Sequence, residues 1–485
     1  MMHGETHLRG MNPPQSQFHN RGRFGRLFPS LPPFAADVAK VRDALFELGK
    51  KGGLMDANDP PPPTPNPNNL DNETISAGFT FFGQFVDHDL SFDPTSSLER
   101  QNDPEALENF RTPTLALDNL YGSGPRVSRH LYDNNNPAKF LIEKLSTAPG
   151  AQDDMPRNSQ ATALIGDPRN DENIIVAQLH VVMLKFHNAV VDRLTDRGVP
   201  AHLVFEEAQR MVRWHYQWII VNEFLPKIAG GDVVQSVLRA HPRDRFYQFK
   251  NKPFIPVEFS VAAYRFGHSQ VRPGYRLNTN FAAPLFNSSI DNNPADPADL
   301  RGGKRAERRF VEWDNFFSLG TDRRQPSKRI DTRLSSALFA LIPGAPGQVG
   351  GSGLGTQSNP LSLAQRNLLR GLALGLPSGQ DMARRMGIKP LTPEQLSELK
   401  PLGVGFERST PAWYYMLKEA QVANGGTSLS GVGARIVAEV MIGVMQGDRL
   451  SFISSDPKWK PELGKNKGEF FISDLLEVAG AKVGA

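Results

Sequence analysis

Four short stretches of this chain gather side chains able to move protons, hold a metal or stabilise charge. The first is Gly83-Gln84-Phe85-Val86-Asp87-His88-Asp89-Leu90, which places four polar side chains in six positions of an otherwise apolar segment. Buried polar groups are costly unless partnered, so this is either the solvated edge of a helix N-terminus or a set of groups that face one another. On a helix Gln84 and His88 stand one turn apart with Asp87 beside them, and a single face presents an amide, an imidazole and a carboxylate. The second stretch, Asp167-Pro168-Arg169-Asn170-Asp171-Glu172-Asn173, precedes a long apolar run. Helix capping by Asp171 or Asn170, with Pro168 in the first turn, accounts for much of it, but not for Arg169, a cation where the helix dipole disfavours one. The third, Ala263-Tyr264-Arg265-Phe266-Gly267-His268, sets an imidazole after a glycine that admits a flat cofactor or another backbone. The fourth places Asn367 and Arg370 one turn apart. Each alone also has a purely structural explanation.

The chain that must position them has 485 residues, 39% hydrophobic and 22% charged, enough to fold and to enclose a cofactor. Its net charge of +4 comes from 55 basic and 51 acidic residues that are dispersed. The short basic clusters Arg301–Arg309 and Arg323–Arg329 read as solvated faces, and no nucleic-acid partner is expected. Cysteine is absent, which excludes disulfides, thiolate-ligated haem and cysteine-held clusters, so any iron must be held by nitrogen or oxygen. The N-terminal segment has no apolar h-region and no run of about 18 uninterrupted apolar residues occurs, so no membrane span is expected and a cytoplasmic location is the default, with non-classical export open.

Residues 1–35, rich in Arg, Pro and Phe, read as an arm wrapping a body; a helical stretch, Ala35–Lys50, and the linker Asp59–Asn69 complete an N-terminal unit of residues 1–70. Apolar residues recur at helical steps over Ile174–Leu194 and Phe205–Leu225. Shorter helical patterns cover Asp331–Ile342, Leu361–Leu372, Thr392–Leu399, Thr410–Val422 and Val432–Gln446. Strand-like alternation is sparse, so the fold is mainly α, with a large helical body over 71–450 and a C-terminal extension over 451–485. The Gly-rich loop Gly344–Gly355 completes no phosphate-binding motif. His180 and His187, seven apart on one helix face, read as buried structural histidines.

In this order the four clusters resemble the animal-type haem peroxidases of the peroxidase-cyclooxygenase superfamily, and the resemblance runs from about Gly78 to Val444. It implies haem b as cofactor, with Gln84, Asp87, His88 and Asp89 matching the family's distal G-Q-x-x-D-H-D segment. Arg169 and Glu172 match its R-x-x-E, and His187-Asn188 its H-N helix motif. His268 matches the proximal ligand, with Arg265 near a propionate, Asn367 bonded to the proximal imidazole and Arg370 at another propionate. The implied function is reduction of hydrogen peroxide through a ferryl intermediate and oxidation of small donors: halides, thiocyanate, phenols or other aromatics. His88 would act as the base, Arg169 would stabilise developing charge and Gln84 would orient the peroxide. Asp87 and Glu172 match the two carboxylates that form haem esters, while Asn173 stands where a sulfonium link needs methionine.

The resemblance also implies a calcium site from Asp89, Thr112, the Thr114 carbonyl and Asp118, although Ala116 replaces one expected carboxylate. Two rivals remain at this level. A fatty-acid dioxygenase needs a tyrosine three residues before the proximal histidine, where this chain has Arg265, with Tyr264 one residue off. A non-catalytic adhesion or interaction module has no need of His88, Arg169 and His268 together. Oligomeric state is not encoded in any of these features.

Overall fold

The computed structural model describes residues 22–59, 66–91, 108–109, 112–148, 151–250, 252–286, 296–303, 305–341 and 360–481. Most of residues 1–35 and the Gly344–Gly355 loop lie outside this set, as does the centre of the Pro-rich linker. In chain order the described helices are α1 (Ala39–Leu48), α2 (Ala77–Leu90), α3 (Asp118–Tyr121), α4 (Ile174–Asp196) and α5 (Ala201–Ile219). Then follow α6 (Leu225–Ala229), α7 (Gly231–Arg239), α8 (Leu363–Ala373), α9 (Gly379–Arg385), α10 (Ala412–Asn424), α11 (Gly431–Gly447), α12 (Phe452–Ser455) and α13 (Ile472–Val478). Strands are short. Gly22–Gly25 lies between Glu108–Asn109 and Ile255–Pro256, and Asp71–Ser76 pairs with Pro326–Lys328 just ahead of α2.

α4 is the central helix, because its residues are apolar almost all round and α2, α5 and α13 pack against it. Asn173 caps it, accepting from the Ile175 and Val176 N–H groups at 3.0 and 2.9 Å. It is the one described helix long and apolar enough to cross a membrane, yet 83% of that window is packed inside the protein. The expected helix over Phe205–Leu225 is interrupted: α5 passes into a π-helical turn at Ile220–Phe224 before α6 resumes the α pattern. A second π-helical turn, Glu258–Ala262, runs directly into a 3-10 turn, Ala263–His268. Such turns shift side-chain direction where a regular helix would not.

Two expected helices do not form as such. Among the described residues of Asp331–Ile342 only Ser336–Phe339 makes a 3-10 turn. Its backbone is committed elsewhere: Leu334 N–H donates to Met55 O at 2.8 Å and Ser336 N–H to Asp59 Oδ1 at 2.7 Å. Thr392–Leu399 gives turns and then the 3-10 segment Ser397–Leu402, whose Pro401 cannot donate to an α ladder. The basic clusters are only partly solvated, with Arg308 exposed. Arg305 and Arg309 are buried, Arg309 donating to the Pro297, Asp299 and Arg301 carbonyls, while Arg323 pairs with Glu312 and Lys328 with Asp71. These cations fasten loops internally.

Candidate active site

α2 is buried along its whole length except at Gln84 and Asp87. Its entry is held tightly, since a Cβ on Gly78 would lie 2.4 Å from the Phe317 ring, so only glycine lets the helix approach there. From this anchored helix Gln84 Nε2 donates to Glu172 Oε1 at 2.6 Å, and Asn173 Nδ2 donates to Gln84 Oε1 at 3.1 Å. His88 Nε2 lies 3.5 Å from the same Glu172 oxygen, and His88 Nδ1 lies 2.7 Å from Asn170 Oδ1. The expected helix face therefore exists, and what it faces is the segment Asp167–Asn173.

Arg169 is not misplaced at a helix start. Pro168–Asp171 is a 3-10 turn capped by Asp167, and α4 begins only after Asn173, so neither Asp171 nor Asn170 is the α4 cap. Fully buried Asp167 pairs with the guanidinium at 2.9 Å, and Arg169 Nη2 also donates to the carbonyls of His88 (3.2 Å) and Ser91 (2.5 Å). Burial opposes the guanidinium's charge, but Asp167, Asp87 and Glu172 more than offset it and its pKa rises. The same burial, aided by Arg169, pushes His88 down to about 4. Burial also lifts Glu172 to about 7 against the pull of Arg169 and the Gln84 hydrogen bond. At neutral pH the imidazole is an uncharged base, and the carboxyl beside it is shared between its two protonation states.

His268 ends the Ala263–His268 turn. Its Nδ1 lies 2.8 Å from Asn367 Nδ2 on α8, and its ring meets Trp413 of α10 edge-on at 6.3 Å. Trp413 Nε1 donates to the Arg265 carbonyl at 3.1 Å, and Arg265 Nε to Ser260 O at 2.8 Å, which locks the turn onto the preceding π-helical one. Burial, then Arg265, lowers His268 to about 3. Tyr264 joins this region to α2, its hydroxyl donating to Gly83 O at 3.2 Å while its ring stacks on Phe259.

Gln84, Asp87, Glu172, Arg265, Gly267, His268 and Arg370 all retain accessible surface within largely buried segments. A Cβ on Gly267 would meet nothing within 4 Å. These side chains therefore reach accessible space from segments that are otherwise packed. A histidine held by an asparagine, a second buried histidine beside an amide and a carboxylate, and the arginines Arg169, Arg265 and Arg370 are the side-chain types that suit a flat, propionate-bearing iron porphyrin, so the residues present fit haem.

The remaining expected residues fall elsewhere. Asp89 is fully buried and its Oδ2 accepts from Leu117 N–H at 3.0 Å; Thr112 and Thr114 precede this loop and Asp118 opens α3. Among the described residues no group of three or more His, Asp or Glu is arranged to hold a metal ion. His187 is structural, bonded to the Tyr121 hydroxyl (3.0 Å) and Ala138 O (2.8 Å), and Asn188 clamps the Phe140 backbone. Asp167, Asn170 and His180 were not legible as site residues, because the first two look like caps and the third like core.

A family model described as animal haem peroxidase matches residues 98–400, which include Arg169, Glu172, Arg265, His268, Asn367 and Arg370 and stop short of α2. The chain is 28% identical over 328 residues to a chorion peroxidase of Drosophila melanogaster, covering 64% of this chain and 36% of that relative. The curated relatives compared are longer proteins, of which this chain spans 14% to 36%. Peroxidase A from Dictyostelium discoideum superimposes with a TM-score of 0.59 at 16% identity, covering 98% of this chain and 96% of that one. A fatty acid alpha-dioxygenase from Arabidopsis thaliana also reaches 0.59 at 14% identity, over 96% and 76% of the two chains. At these identities both structures speak for the fold alone, whereas the matched stretch covers well over half the chain and carries the proximal histidine, its asparagine and the arginine-glutamate pair: the chain belongs to the animal haem peroxidase family.

Proposed function

We propose that the chain is a haem-dependent peroxidase that reduces hydrogen peroxide and oxidises small donors. The observation that carries this reading is the convergence of Gln84, His88, Arg169 and Glu172 on one corner, joined through α2 and Tyr264 to the turn that carries His268. His268 Nε2 would hold the iron and Asn367 would set its tautomer, with Arg265 and Arg370 at the propionates. Haem, when bound, supplies the redox chemistry. His88 Nε2 takes a proton from peroxide and returns it to the departing oxygen. Arg169, whose charge already reaches His88 and Glu172, opposes the negative charge that develops. Gln84, held by Glu172 and Asn173, orients the peroxide.

The dioxygenase reading is disfavoured by Arg265 at the required tyrosine position and by Tyr264, whose hydroxyl is bonded to Gly83 O. Two finer features belong to the same proposal. Asp87 and Glu172 would form esters with haem, tested by resistance of the haem to acid-acetone after peroxide treatment and its release in Asp87→Val, Glu172→Gln. Calcium would sit among the oxygens of Asp89, Thr112, Thr114 and Asp118, tested by metal analysis with and without chelator; hard oxygen donors suit it. The deciding experiment for the whole reading is a pyridine-haemochrome spectrum followed by peroxide-dependent oxidation of a panel of halides, thiocyanate and aromatic donors. No Soret band after haem supplementation, or no peroxide consumption with haem bound, sinks it.

A further inference from the structure

His180 belongs to none of the motifs that the family reading uses, yet it is connected to the base. His88 on α2, Asn170 in the 3-10 turn and His180 on α4 come from three elements, and all are buried at 3%, 0% and 1% exposure. Asn170 Oδ1 lies 2.7 Å from His88 Nδ1 and Asn170 Nδ2 lies 3.0 Å from His180 Nδ1. The amide is held at both ends, and its own backbone N–H is fixed on Asp167 O at 3.0 Å. The Phe85 ring packs edge-on against His180 at 6.2 Å and closes the triangle from α2.

An amide donates only through nitrogen and accepts only through oxygen. If Nδ2 faces His180, then His180 Nδ1 must be an acceptor and its proton sits on Nε2. The oxygen left for His88 requires a donor, so His88 carries its proton on Nδ1. Its Nε2, the atom turned to Glu172, is then bare. We propose that Asn170 and His180 form a positioning relay that locks His88 in the Nδ1–H tautomer, presenting an unprotonated Nε2 to hydrogen peroxide. The relay rests on the reading of His88 as the proton acceptor, and it adds two positioning residues that act through that base. Without it the two tautomers of a neutral imidazole differ little in free energy, and the one with hydrogen on Nε2 is useless as a base.

The test is the tautomer itself. In the full chain carrying haem, held diamagnetic as the ferrous carbon monoxide form and labelled with ring-15N histidine, long-range 1H–15N spectra should show His88 protonated at Nδ1 and His180 at Nε2. In Asn170→Asp an ionised carboxylate accepts at both ends, so His180 should switch to Nδ1–H while His88 keeps its proton on Nδ1. In Asn170→Leu His88 should populate both tautomers, and the second-order rate with peroxide should fall about tenfold at unchanged haem content, on the scale of a lost orienting partner. Wild-type His88 protonated at Nε2, or His180 unmoved in Asn170→Asp, would overturn the relay even if Asn170→Leu does not fold. Should the tautomers be as stated while His88→Ala reacts with peroxide at the wild-type rate, it is the base assignment that fails, and the relay's catalytic purpose with it.

Discussion

The two histidines of the site are each held by an asparagine, and the two asparagines are held differently. On the α2 side Asn170 is fixed at both ends, by His88 and His180, inside a turn that also carries the Arg169–Asp167 pair. Beside His268 stands Asn367, which among the described residues has no second side-chain hydrogen bond. As it stands, Asn367 turns its nitrogen to His268 Nδ1, a setting that leaves hydrogen on Nε2. A half-turn of the amide exchanges donor and acceptor within the same shape, presents oxygen to Nδ1 and frees Nε2 for a metal. On the proposed reading the contrast is between a base whose asparagine is bonded at both ends and an iron ligand whose asparagine is bonded at one. A proton-transfer group gains from the first, since misdirected tautomers are lost rate; a metal ligand tolerates the second, since the metal bond selects the tautomer.

Replacing the ends of this comparison gives the largest effects. His268→Ala should lose nearly all bound haem, or bind it with an altered axial ligand, because the chain has no cysteine to substitute. Haem per chain by pyridine haemochrome measures this, and an unchanged ratio with an unchanged spectrum would falsify the ligand assignment. His88→Ala should keep its haem and slow the reaction with peroxide about a hundredfold, the usual scale for a lost general base. Stopped-flow rates near wild type would mean that another group moves the proton. Asn367→Leu should then separate the sides: haem affinity falls about ten- to a hundredfold, while the peroxide rate of protein saturated with haem changes less than in His88→Ala. If both variants slow peroxide equally without haem loss, the two sides are not doing different work.

How far this contrast could be read in advance depended on sequence distance. His88, Arg169 and His268 stood out as candidates because their neighbours lie within a few residues and form patterned motifs. The helix face of Gln84 and His88 was legible for the same reason, since helical spacing is local. Asn170 was not, because a capping asparagine and a relay asparagine look alike until α2 is folded 82 residues back onto it. The expected helix at Asp331–Ile342 failed in the opposite way: periodicity gave a local preference, and the loop at Met55–Asp59 took its hydrogen bonds. The π-helical turns before α6 and before the His268 turn carry no signature at all, since an extra residue in a helical turn leaves composition untouched.

The smallest expected effect sharpens the comparison through pH. His180, the outer member of the α2-side pair, is pushed by burial down to about 3 from an ordinary value of 6.5. A histidine whose pKa is lowered by folding binds more protons when unfolded, so its contribution to stability is intact above about 6.5 and is lost as pH falls toward the folded value. At pH 4 the unfolded side chain is about 2.5 units below its own pKa, which sets this one group's penalty at about 3 kcal/mol. His180→Gln keeps an acceptor for Asn170 Nδ2 and removes the titration. It should therefore start less stable at pH 7 through imperfect packing, yet lose less between pH 7 and pH 4 than wild type does, read as urea midpoints at matched pH. Added haem should not erase that difference, because His180 is no ligand in the proposed site, whereas for His268 it should, since an imidazole bound to iron resists protonation. Parallel loss of midpoint in wild type and His180→Gln would mean that His180 is protonated or exposed in the folded protein, and the two-ended grip on Asn170 would have to be abandoned.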